Sequence, residues 1–251
     1  MIRRIAKLFT REYWLDTAAR RRDWVGLFFL LLLLVAFPIR TTTTRMACLI
    51  LAALVWVLGV FVFRSVKPMA AVFLAAVAFI LFVRFAPGRP YDAAALRAAY
   101  LASLRSLTGT KYVWGGENAL GIDCSGLVRE GMIEATLRSG LLTMNPALLR
   151  QSYTIWRYDC SAAQLGDGYD GRTIPLQETP SLAELDYAAV DPGDIAVTDG
   201  GAHTLAYLGN RTWIEADPGD YAGKVIQITL PSSRNPWLFV PMRILRWRLL
   251  D

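Results

Sequence analysis

Gly121-Ile122-Asp123-Cys124-Ser125-Gly126-Leu127-Val128 sets a cysteine between a glycine turn and an apolar helical stretch. Upstream, Tyr112-Val113-Trp114 runs into Gly115-Gly116, which reads as a tight turn. Downstream, Leu127, Val128, Met132 and Ile133 share a helical face as far as about Leu137, and Gly140 is expected to stop the helix. Cys124 therefore opens a helix, where unpaired N–H groups and the helix dipole are expected to stabilise a thiolate. Its own N–H can donate toward a developing oxyanion. Gly115, Gly116 and Gly126 are expected to let the backbone approach a substrate closely.

A thiol nucleophile needs a base to deprotonate it and an acid to protonate the leaving amine. His203 is the single histidine in the 251 residues, so imidazole chemistry has one candidate. It opens the alternating stretch Thr204–Leu208, which turns at Gly209. The next strand carries Glu215 between Ile214 and Ala216. A carboxylate there can accept the imidazole's other N–H and orient the ring, or it can be a solvated strand residue. Asp159-Cys160-Ser161 repeats three letters of the Cys124 motif. Ala162 replaces the glycine, however, and Gly166 and Gly168 disfavour a long helix behind it, so Cys160 reads as structural. Trp213 and Trp237 either line a cleft or fill the core.

The soluble domain is expected to span residues 91–251 and to be α+β. Asp92 caps a helix to about Leu107, and strands follow at Ile195–Val197, His203–Leu208, Thr212–Ala216, Val225–Leu230 and Met242–Trp247. Residues 140–190 show little periodicity and are longer than an ordinary loop.

Composition changes at Pro90. Of the 27 basic and 21 acidic residues, 13 and 3 precede it, a net of +10; the remainder holds 14 and 18, a net of −4. The basic balance thus belongs to the N-terminal part, which argues against a nucleic-acid partner for the domain. Three apolar runs lie there, at 24–39, 46–63 and 69–85, preceded by a basic leader over 1–23. They are slightly under the ~20 residues of a membrane span, and flanking arginines can snorkel to extend them. Two or three transmembrane helices are expected, so the lipid bilayer is a partner. The leader arginines should stay in the cytoplasm, and three spans then put the domain outside whereas two keep it inside. Trp24, at the end of its run, suits an interfacial belt. The leader is either an amphipathic helix on anionic lipid or a solvated tail. Three cysteines leave any disulfide framework incomplete, and Cys48 reads as a buried hydrophobe. One histidine and scattered acids give no metal-ligand spacing, and no cofactor motif is present.

Four blocks in order resemble the NlpC/P60 family of papain-like cysteine peptidases: Tyr112–Gly116, Asp123–Val128, Pro192-Gly193-Asp194 and His203–Gly209. The resemblance covers roughly Leu96 to Leu230. It implies a papain-like α+β core and hydrolysis of amide bonds in peptidoglycan stem peptides by Cys124, His203 and a third polar residue. That third position is commonly histidine in the family and is Glu215 here. The resemblance further implies that Tyr112 assists the oxyanion or substrate, although it can also simply pack, and that Asp123 and Ser125 line the pocket for the stem peptide. With three spans the enzyme would sit in the bacterial inner membrane, its domain facing the periplasm. Two other readings stay open: a papain-like amidase, deamidase or acyltransferase with a non-wall substrate, and a non-catalytic module binding wall peptides. Cys before His argues against the permuted acyltransferases, and an intact Cys124 and His203 argue against a pure binding role.

Overall fold

The computed structural model describes residues 17–219 and 222–251, which divide into two compact units. The first sixteen residues, and with them most of the leader, lie outside the described residues.

The first unit consists of three helices, α1 (Thr17–Ala36), α2 (Thr42–Phe63) and α3 (Lys67–Phe85). On α2 the residues Cys48, Leu51, Val55, Gly59 and Val62 are buried, a stripe of helical period. Gly59 is needed there, because a Cβ at that position would stand 2.8 Å from the Phe73 ring and 2.9 Å from the Trp24 indole nitrogen. Trp24 is not free for an interfacial belt: its indole N–H donates to the Val55 carbonyl at 2.9 Å, and its ring stacks on Phe28. Much of the remaining helix surface is apolar and exposed, including Phe29, Ile50, Leu54, Val72 and Leu74. By length and composition α2 and α3 can cross a membrane. The expected third span is not matched equally. Helix α1 starts at Thr17 and carries Arg20, Arg21, Arg22 and Asp23, which leaves only Trp24–Ala36 uncharged.

The second unit comprises residues 86–251 together with Pro38–Thr42. Helix α4 (Ala93–Ser106) begins where Asp92 accepts the N–H groups of Ala94 and Ala95. A short hairpin, β1 (Glu117–Asn118) and β2 (Gly121–Ile122), leads into α5 (Cys124–Leu142). Gly140 does not stop α5 but lies inside it, where a Cβ would meet the Leu149 side chain at 2.8 Å; the missing side chain lets α6 (Pro146–Arg157) pack closely. Residues 140–190 are more ordered than their composition suggested. They hold α6, capped by Asn145 and burying Leu148, Leu149, Ser152 and Ile155, then α7 (Ala162–Gly166) and the strand β3 (Thr173–Thr179).

Strands β4 (Ile195–Thr198), β5 (Thr204–Gly209), β6 (Thr212–Ala216), β7 (Val225–Thr229) and β8 (Met242–Trp247) complete an antiparallel six-stranded sheet. Its order is β3-β8-β4-β5-β6-β7. Pro175 is tolerated in β3 because that strand lies at the sheet edge, with a register shift between Pro175 and Gln177. Strand alternation feeds two cores. Ile195, Val197, Ala206, Leu208, Ile214 and Leu245 face the helices, around Tyr100, Leu104, Leu127 and Met132. Ala196, Leu205, Tyr207, Trp213 and Ile244 face Leu182, Leu185, Val190 and Leu238, so the second sheet face is covered by the segments before β4 and after β7. The Pro192-Gly193-Asp194 turn fixes this layout. Asp194 is buried and takes both Arg246 Nε and Nη2, at 2.7 and 2.8 Å, which ties the start of β4 to β8.

Pro38–Arg40 runs antiparallel beside the start of the hairpin. The Arg40 N–H donates to the Gly115 carbonyl at 2.8 Å, and the Glu117 N–H donates to the Pro38 carbonyl at 3.0 Å. The linker Ala86–Pro90 is equally fixed. Asn145 Nδ2 donates to the Arg89 carbonyl at 2.9 Å, and Arg150 donates to the Ala86 carbonyl at 3.0 Å.

Candidate active site

Cys124 is the first residue of α5, and Asp123 is its N-cap. The Asp123 carboxylate is fully engaged: Oδ1 accepts from the Gly126 N–H at 2.6 Å and the Ser125 hydroxyl at 3.0 Å, and Oδ2 accepts from the Gly115 N–H at 2.8 Å. An anion thus already occupies the positive end of the helix, and the expected thiolate stabilisation there does not materialise. Burial pushes the Cys124 thiol up to about 12, and the Asp123 charge acts in the same direction. The backbone groups of Thr204, Ser125 and Cys124 itself oppose this without outweighing it. In the free protein the sulfur is a neutral thiol that needs a base.

The base candidate is the sequence neighbour of a residue in contact with that sulfur, since Thr204, whose backbone bonds to the Cys124 sulfur, directly follows His203. His203 is held by its own backbone: its N–H donates to Thr198 Oγ1 at 2.9 Å, and its carbonyl accepts the Thr198 N–H at 3.0 Å. Its Nε2 lies 2.6 Å from Oε2 of the buried Glu215. A carboxylate partner keeps the proton on Nε2 and leaves the lone pair on Nδ1.

Two further residues complete the arrangement: Asn235, which sequence reasoning did not identify, and Trp237, for which it left two alternatives open. The buried Asn235 donates its side-chain N–H to Glu215 Oε1, while its Oδ1 accepts the Trp237 N–H at 2.9 Å. Trp237 then stacks on His203, with ring centroids 4.4 Å apart and planes 21° from parallel. One short 3-10 turn, Pro236–Phe239, therefore delivers both the second partner of the carboxylate and a lid on the imidazole. The alternatives left open for the two tryptophans divide. Trp237 lines the site, whereas Trp213 fills the second core and donates to the Tyr187 hydroxyl at 3.1 Å.

Tyr112 is placed by its backbone, whose N–H donates to the Gly223 carbonyl at 2.9 Å beside the start of β7. Burial raises its phenol, and the nearby Cys124 sulfur and the Asp123 and Asp217 carboxylates add to the shift, so the group stays a neutral O–H donor close to the sulfur. Buried Asp217 gathers the following loop, with Oδ2 accepting from the N–H groups of Gly219, Ala222 and Gly223. The glycines serve the fold more than any ligand. A Cβ on Gly126 would stand 2.2 Å from the Gly116 carbonyl oxygen, and one on Gly116 would stand 2.5 Å from that of Gly121. Two backbone segments approach each other here.

Cys160 is far from equivalent to Cys124. It is a buried free thiol whose Sγ donates to the Ser161 carbonyl at 3.2 Å, ahead of a five-residue helix. Cys124 and Cys48 are also free. No group of His, Cys, Asp and Glu among the described residues is arranged to hold a metal ion.

A buried thiol on a helix start, an imidazole at the head of the neighbouring strand and a carboxylate on the next define a papain-like α+β arrangement. Residues 109–233 match the NlpC/P60 family, so the chain carries an NlpC/P60 domain. Among solved structures, the P60 domain of an antigen from M. avium subspecies paratuberculosis is 20% identical. It covers 63% of this chain and 98% of its own, with a TM-score of 0.38. The peptidoglycan hydrolase RipB from Mycobacterium tuberculosis is 21% identical over 68% of this chain and 71% of its own, with a TM-score of 0.38. NlpC2 from Trichomonas vaginalis is 18% identical over 65% of this chain and 50% of its own, with a TM-score of 0.39. No curated protein matches the chain.

Proposed function

We propose that this chain is a membrane-anchored cysteine endopeptidase that hydrolyses amide bonds in peptidoglycan stem peptides. The observation that carries the reading is the His203 imidazole, fixed by Glu215 and Trp237 and directly followed by the residue that bonds the Cys124 sulfur. As substrate arrives, His203 Nδ1 takes the Sγ proton and Cys124 attacks the carbonyl carbon. The resulting oxyanion is met by the Cys124 N–H, which has no intrahelical acceptor at the first helical position, and by the Tyr112 hydroxyl. The C–N bond then breaks and the imidazolium returns its proton to the leaving amine. Water, deprotonated by the same imidazole, releases the acid product from the thioester. Glu215 stabilises the imidazolium throughout, and Asn235 holds the carboxylate for that task. Asp123 and Ser125 border the cleft from the mouth of α5.

The apolar faces of α2 and α3 support the anchor. Pro38–Thr42 and residues from Ala86 onward both belong to the domain, so along the chain the α2–α3 pair begins and ends at domain residues. Its far turn carries Arg64 and Lys67, which the positive-inside rule keeps in the cytoplasm. With α1 also crossing, its Arg20–Arg22 snorkelling at the cytoplasmic end, the domain faces the wall from the outer side of the inner membrane. The test is incubation of purified protein with peptidoglycan and mass spectrometry of the products, alongside Cys124→Ala. New stem-peptide fragments from the wild type alone are expected. An unchanged wall in both samples overturns the substrate assignment.

A further inference from the structure

The two domain segments that adjoin the apolar helices, Pro38–Thr42 and the stretch from Ala86, each lie beside large exposed apolar side chains. At the first, Pro38 and Ile39 lie against the hairpin: a Cβ on Gly121 would stand 3.2 Å from Pro38, and one on Gly115 would stand 3.4 Å from Ile39. The residues adjoining those two glycines are Trp114, 81% exposed, and Leu120, 66% exposed. At the second, Ala86 directly follows α3. The segment Ala86–Arg89 is bound to Arg150 and Asn145, and a Cβ on Gly88 would stand 2.8 Å from the Ala147 side chain. Just before Asn145 come Leu142, 76% exposed, and Met144, 46% exposed. No fold requirement accounts for these four side chains, because neither core of the domain includes them.

We propose that Trp114, Leu120, Leu142 and Met144 form a lipid-binding face that seats the domain on the bilayer surface. The inference rests on the membrane-anchored reading above. Its occupant follows from continuity of the chain. Pro38 is two residues beyond the end of α1 and Ala86 is one beyond α3, which keeps the residues bound to them within a short chain length of the depth where each apolar helix ends. An indole and aliphatic side chains at that depth gain by entering the interfacial and upper acyl region. Because Gly115 also bonds the Asp123 carboxylate beside Cys124, the seat holds the cleft close to the membrane. The face thereby restricts the enzyme to peptides near the membrane surface.

The test uses the full chain, unsubstituted and without substrate, reconstituted in vesicles of phosphatidylethanolamine and phosphatidylglycerol. Hydroxyl radicals are generated in the water on both sides, and oxidation at each residue is read by mass spectrometry, normalised to intrinsic reactivity. Trp114, Leu120, Leu142 and Met144 are expected to oxidise at least roughly tenfold more slowly than Phe239, the contrast between acyl-facing and water-facing side chains. Phe239 is 52% exposed and serves as the aqueous reference. Exposed Phe61 and Met46 on α2 report the anchor separately. Oxidation of Phe61 and Met46 at the rate of Phe239 overturns the anchor itself. Protection of those two with rapid oxidation of Trp114 and Met144 overturns the seat alone. The same result is expected if Trp114 is instead a platform for wall glycan or peptide, since neither is present to shield it.

Discussion

Trp237 lies over His203 at a centroid separation of 4.4 Å, and the backbone N–H that sets its turn is bonded to the same Asn235 that holds Glu215. Stacking and charge pairing on the imidazole are therefore built from one short turn. Trp237→Ala removes the stacking face and admits water to the ring, while the Glu215 contact is left in place. We expect kcat to fall by roughly tenfold, on the scale of one aromatic contact. Trp237→Phe should restore most of the loss. Steady-state kinetics on a defined stem peptide checks this, and equal activity in Trp237→Ala and wild type would refute the positioning role.

Glu215→Gln keeps the shape and removes the charge. The imidazolium formed during the reaction then lacks its counter-charge, and the preferred tautomer is lost. A fall in kcat of about 10²–10⁴ is expected, with a smaller change in KM. Asn235→Ala should lie between Glu215→Gln and wild type, since it frees one carboxylate oxygen but leaves the other on His203.

Cys124 gives a pH-dependent signature. Burial and the Asp123 charge push its thiol up to about 12, so at neutral pH the sulfur is protonated. Alkylation of the free protein by iodoacetamide should accelerate steadily from pH 7 to 10 without levelling. A plateau already reached near pH 6 would mean a preformed thiolate–imidazolium pair and would contradict the assignment. The raised value also has a stability consequence. The folded state holds this proton more tightly than the unfolded chain, so stability falls as pH rises above the ordinary thiol range.

Glu130 on α5 carries the same logic into the physiological range. Burial and the neighbouring charges of Glu117 and Glu134 push it up to about 8, against the pull of Arg40 and Arg129. Because the folded value lies above the unfolded one, its contribution to stability is full below about pH 4.5 and is lost as pH rises through about 8. Each pH unit in between removes up to about 1.4 kcal/mol from this single group. Glu130→Gln should flatten the fall in melting temperature between pH 5 and 9. An unchanged slope would show that Glu130 is not the group responsible.

Gly126→Ala tests the backbone crossing beneath the nucleophile. Its Cβ would fall 2.2 Å from the Gly116 carbonyl, an atom held in the turn and unable to swing aside as a side-chain end can. We expect about 1–3 kcal/mol of destabilisation and loss of most activity. Thermal unfolding and the peptide assay together separate the two effects.

The parts of this site that were legible in the sequence are those with local signatures. Cys124 stands before an apolar helical face, His203 directly precedes a strand and Glu215 lies within the next, so each could be assigned to its element before any contact was known. Asn235 and Trp237 could not, because they belong to a proline- and serine-rich turn 20 and more residues beyond Glu215, and only sheet packing brings them back. Helix α6 does carry apolar residues at helical spacing, but surrounding glycines and prolines masked it; β3 is an edge strand with a proline and a register shift, and it lacks clean alternation. Gly140 misled because the same residue that ends helices also admits a neighbouring helix at close range. The expected anion preference at Cys124 failed for a related reason. The helix dipole was real, but Asp123 had already claimed it.

That prior claim has a bearing on chemical durability. Peroxides and other thiol oxidants attack the thiolate far faster than the thiol, and the higher oxidation states are not recovered. By occupying the mouth of α5 with its own carboxylate, the protein keeps the Cys124 sulfur in its protonated and sluggish form until a substrate and the imidazole act together. A site built this way gives up some idle reactivity and gains a sulfur that resists oxidation while no substrate is bound.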